Sequence, residues 1–141
     1  SAGSRVFHHS SIAVCANCHR HEGRGRSLGP DLGSVEAGGG RDWLIESILQ
    51  PSRKIAPEYL PRAVTLKDGR TIVGIRMQSY TRERIKDVNG HSLTFELEEL
   101  DSIAELDSSL MPAGLALSLT DRELRDLVAF LMTSEGKTKR E

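Results

Sequence analysis

The chain has 141 residues, of which 38% are hydrophobic and 4% aromatic, and its 19 basic and 20 acidic residues give a formal net charge of −1. That length suits one ordinary domain carrying at most a small inserted lobe, and the charge balance argues against nucleic acid as the main partner, which usually demands a basic excess. No apolar run approaches the ~20 residues of a membrane span. The first residues do not read as a signal peptide, which leaves the compartment open.

Taken in chain order, residues 4–14 predict a short helix presenting Val6, Phe7 and Ile12, running into Cys15-Ala16-Asn17-Cys18-His19. Residues 20–40 are rich in glycine and read as a loop interrupted by Gly29-Pro30-Asp31-Leu32. From Asp42 to Gln50, Trp43, Leu44, Ile45, Ile48 and Leu49 form a broad helical face that Pro51 stops. The texture then changes. Residues 59–66, 70–80, 84–88 and 91–100 carry alternating or β-branched apolar residues, with turns marked by Asp68-Gly69 and Asn89-Gly90. This predicts a four-stranded antiparallel lobe, left through the acidic stretch Glu96–Asp107. The closing helix has a capping box, Thr120 with Glu123. Leu124, Leu127, Val128 and Leu131 then recur at helical spacing, with Gly136 past the end.

The two cysteines carry the chemistry. CxxCH is the pattern of covalent attachment of a c-type haem: two thiols three positions apart reach two vinyl groups on one porphyrin edge, and the next residue, His19, lies under the iron. Three other readings compete. A structural zinc site needs a second ligand pair, which the sequence does not offer downstream. A thioredoxin-type dithiol wants a strand before the motif, and a disulfide across two residues closes a loop of little stabilising value. Having only six aromatic residues to fill a core is a further hint of a bound apolar cofactor. Of the remaining histidines, His8, His9, His21 and His91 read as solvated side chains. Arg20, Arg24 and Arg26 suit either solvent, haem propionates or an acidic partner.

In this order, CxxCH, Gly29-Pro-Asp-Leu32, Trp43-Leu-Ile-Glu-Ser-Ile48, Pro51-Ser52, Lys67-Asp-Gly69 and Leu110-Met-Pro112 resemble a class I c-type cytochrome, more narrowly the planctomycete-type monohaem-binding domain with an inserted β segment. The resemblance implies a mainly α cytochrome c fold with an inserted small antiparallel β lobe (α+β). Residues 1–56 and 108–141 would form the cytochrome parts and 57–107 the lobe. It implies one haem c, thioether bonds at Cys15 and Cys18, iron ligation by His19 and Met111, and a hydrogen bond from His19 to the Pro30 carbonyl. Leu32 and Trp43 would belong to the haem pocket, and Gly3 and Phe7 would meet Phe130 where the terminal helices cross. Met111 has support of its own: a thioether suits haem iron, and Pro112 stiffens the loop behind it. The expected activity is one-electron transfer with a redox partner or a fused dehydrogenase-like domain, in the periplasm or another exported location. The alternative is a haem-based sensor binding CO or NO at a displaceable distal ligand.

Overall fold

The computed structural model describes residues 1–9, 11, 13–33 and 39–133. Ile12 and Gly136, expected in the first helix and after the last, lie outside the described residues. The chain divides into two compact units, one made of Ser1–Arg53 with Pro112–Glu141 and the other of Lys54–Met111.

The first unit carries three helices, α1 (Ala2–His9), α2 (Gly40–Leu49) and α3 (Asp121–Met132), with a two-stranded hairpin of β1 (Arg20–His21) and β2 (Arg24–Gly25). Helix α1 buries Gly3, Val6 and Phe7, and α3 buries Leu127, Val128 and Leu131. Their crossing depends on Gly3, because a Cβ there would collide with the Asp126 carbonyl and lie 2.5 Å from Phe130 Cβ. Phe7 and Phe130 meet at a ring-centroid distance of 6.0 Å. Helix α3 starts where its local chemistry dictates: the Glu123 N–H donates to Thr120 Oγ1 at 3.1 Å, and the Thr120 N–H donates to Glu123 Oε1 at 2.9 Å. Helix α1 is shorter than its apolar pattern suggests. It ends at His9, and by Val14 the backbone is left-handed, φ +47°.

The second unit is a five-stranded antiparallel sheet of β3 (Pro61–Leu66), β4 (Thr71–Met77), β5 (Glu83–Asp87), β6 (Ser92–Phe95) and β7 (Leu100–Glu105), ordered β6-β5-β4-β3-β7. Val64, Leu66, Ile85 and Phe95 are buried on one face, with Ile72, Leu93 and Leu100 packed against them. Register puts Arg62 opposite both Gly74 and Glu105, at the charged end of that face. Arg62 there pairs with Glu83 at 3.3 Å and Glu105 at 3.6 Å. The two glycine turns are present, with φ +92° at Gly69 and +82° at Gly90, conformations that favour a residue without Cβ.

The expected mainly α fold with a small β lobe is corrected by this architecture. Among the described residues three helices stand beside seven strands, and the larger sheet has five strands rather than four, so the fold is α+β with a large antiparallel sheet. The added strand, β7, comes from the acidic stretch. Its residues are exposed apart from half-buried Leu100, and an edge strand tolerates carboxylates because both of its faces can stay wet.

Candidate functional site

After Val14 the chain enters a 3-10 turn at Cys15–Asn17. The Cys15 carbonyl accepts the N–H groups of Cys18 at 3.1 Å and His19 at 2.9 Å, which draws both thiols and the imidazole onto one short turn. Both cysteines are free and half-buried. The following loop returns over this turn and is tied to it: the Arg26 N–H donates to the Ala16 carbonyl at 3.0 Å and the Gly29 N–H to the Cys18 carbonyl at 2.7 Å.

His19 is fixed on several sides. Its Nδ1 lies 2.8 Å from the Pro30 carbonyl oxygen. A carbonyl only accepts, so Nδ1 carries the proton and Nε2 keeps its lone pair as a free ligand atom. The ring lies against backbone that has no room for a side chain: a Cβ on Gly29 would sit 2.6 Å from His19 Cε1 and 2.9 Å from Nδ1. Gly25, at φ +104°, likewise abuts the His19 carbonyl, which a Cβ would strike. Burial pushes the His19 pKa below its ordinary value, the bond to Pro30 opposing that shift. Burial also raises both thiol pKa values; at Cys18 the Arg26 guanidinium works against it.

The close arrangement therefore consists of Cys15, Cys18, His19 and Pro30, with Gly25 and Gly29 as its floor. The other expected site residues lie elsewhere. Leu32 is half-buried in the loop after Pro30, beside Asp31, whose carboxylate accepts the Gly33 N–H at 2.8 Å. Trp43 stands on α2, 38% exposed. Met111 is half-buried at the end of the second unit, its N–H donating to Ser109 Oγ at 3.1 Å.

Two features escape a reading of the sequence. Residues 20–25 were expected as loop and form the β1–β2 hairpin, reversed through Glu22 at φ +50° and Gly23 at φ +78°. His21, expected in solvent, is 3% exposed, with ring centroids 4.4 Å from Phe130 and 5.8 Å from Phe7. The alternation of Arg20 outward and His21 inward is the only local signal of that burial.

Among the described residues, no group of three or more His, Cys, Asp or Glu side chains could hold a metal ion, and no helix is long and apolar enough to cross a membrane. The chain matches no protein-family profile and no curated protein. Among solved structures it is similar to the solution NMR structure of a "Putative Lipoprotein from Pseudomonas syringae", with 19% identity, covering 38% of this chain and 98% of that one, at a TM-score of 0.29. So slight a likeness carries no argument about fold or function. The expected kinship with class I c-type cytochromes of the planctomycete type is corrected by these findings. No family profile supports it, and the fold is not mainly helical.

Proposed function

We propose that the chain holds one haem, attached covalently through Cys15 and Cys18 with His19 as an iron ligand, and that it passes single electrons to and from a redox partner. The observation that carries this reading is the His19 imidazole, held by its Nδ1–H on the Pro30 carbonyl so that Nε2 remains the donor atom. The donor set fits the group. Two free thiols sit on the turn that bears His19, and they would hold the group as thioethers, a linkage whose formation needs no oxidant.

The ring-sized contact of His19 with Gly29 leaves the imidazole one orientation, which a metal ligand needs and a solvated histidine does not. Bound here, haem supplies the ferric–ferrous couple. The chain would supply orientation, and basicity at Nε2 through the Pro30 bond. Met111, a soft thioether before Pro112, would supply the other protein ligand to the iron. Haem is attached to CxxCH outside the cytoplasm, so the reading carries with it an exported location.

Production of the chain with haem-maturation machinery tests the proposal. The expected protein gains the mass of one haem, loses both free thiols, and shows sharp ferrous bands with a ferric far-red band from sulfur ligation. Met111→Ala should abolish that band and open the ferrous protein to CO. Rapid CO binding by the unmutated protein would instead favour the sensor reading, and no covalent haem would overturn both.

A further inference from the structure

We infer that His21 is a positioning residue for His19, its buried ring anchoring the ligand-bearing turn to the α1–α3 crossing; the functional weight of this rests on the proposed haem ligation. The β1–β2 hairpin has two residues in each strand, and a ladder that short is marginal by itself. Something else must hold it. His21 does so by inserting between the helices: its ring is tilted 38° to that of Phe130 at 4.4 Å and 58° to that of Phe7 at 5.8 Å, and Phe7 is itself 1% exposed. Tilted aromatic contacts at these separations add to the stabilisation from burial alone.

The Gly3 contact brings α1 and α3 close together beside Phe7 and Phe130, the two rings that flank His21. From that seat the backbone runs back two residues to His19. Arg20 pairs with Gly25, whose bare Cα abuts the His19 carbonyl, and the loop beyond brings Gly29 and Pro30 onto the ring. His19 is thus fixed on one side by glycine and proline backbone and on the other by a ring two positions away in the aromatic cluster.

The test uses the full chain without haem, labelled with 15N-histidine, so that failure of the haem reading and failure of this inference are distinguishable. The unmutated chain should show a slowly exchanging His19 Nδ1–H. His21→Phe should keep it, and His21→Ala should speed its exchange at least about tenfold, the scale on which outer contacts of a ligand act. Should His21→Ala not fold, Phe130→Leu decides, since it removes the ring face and leaves the seat apolar; faster His19 exchange is expected there too. Unchanged His19 exchange in Phe130→Leu or in a folded His21→Ala, or loss of the signal in His21→Phe, would overturn the inference. On the haem-loaded chain, His21→Phe should keep and His21→Ala should shift the midpoint potential, a readout that packing remote from the ligand would not move.

Discussion

A single methyl group at position 29 is enough to displace the His19 ring, because the Cβ would stand 2.6 Å from Cε1. Neither neighbour can give way: Gly29 is tied to Cys18 and the ring is tied to Pro30. Gly29→Ala should therefore cost about 1–3 kcal/mol through overpacking and loss of the Nδ1 bond. At Gly33 the nearest atom is the Asp31 carboxylate, 3.1 Å away on a side chain that can move, so Gly33→Ala should cost clearly less. Urea unfolding of the two variants checks the difference; equal losses would mean that His19 does not lean on Gly29. These contacts also mark what is legible at this scale. CxxCH and Gly-Pro are written in adjacent residues; the His19–Pro30 bond was expected only through the family resemblance, and the structure has it at 2.8 Å. The burial of His21 is not legible, because its seat is built from Phe7 before the motif and Phe130 near the far end of the chain.

Elements whose ends are set by neighbours a few residues apart were readable for the same reason. The Thr120 capping box is an i, i+3 exchange, and Thr120→Ala should lower stability by about 1 kcal/mol, seen as an earlier thermal midpoint and faster exchange of the first α3 amides. The β5–β6 turn is likewise local: Asp87 Oδ1 accepts the N–H of His91 at 2.8 Å and of Asn89 at 3.0 Å. Those bonds, His91 first, hold the Asp87 carboxyl below its ordinary 3.8. A depressed carboxyl contributes stability that is present above the unfolded value and lost as pH falls through the folded one. Amides of β5 and β6 should lose protection below about pH 4, and Asp87→Asn should remove that pH dependence. If the unmutated turn kept its protection in acid, the carboxylate would not be what closes it. Strand β7 was not readable. Acids at Glu98, Glu99, Asp101 and Glu105 look like a solvated run, and only pairing with distant β3, Val64 against Ile103 for one, makes it a strand.

At the scale of the molecule, an expectation built on order of motifs weighted the helices at the two ends and treated what lay between as an insert. The chain forms two compact units, Ser1–Arg53 with Pro112–Glu141 and Lys54–Met111, and each buries a separate set of side chains. Val64, Leu66, Ile85 and Phe95 sit within the sheet, whereas Val6, Phe7, Leu127, Val128 and Leu131 belong to α1 and α3. Ile85 is 0% and Leu127 2% exposed, so truncating either to alanine should cost about 2–5 kcal/mol, a large part of a domain's stability. Where that cost is felt tells whether the separate cores make separate cooperative units. Ile85→Ala should speed amide exchange across β3–β7 more than in α1 and α3, and Leu127→Ala should do the reverse. A uniform loss of protection throughout the chain from either substitution would instead make the whole chain one unit that opens together.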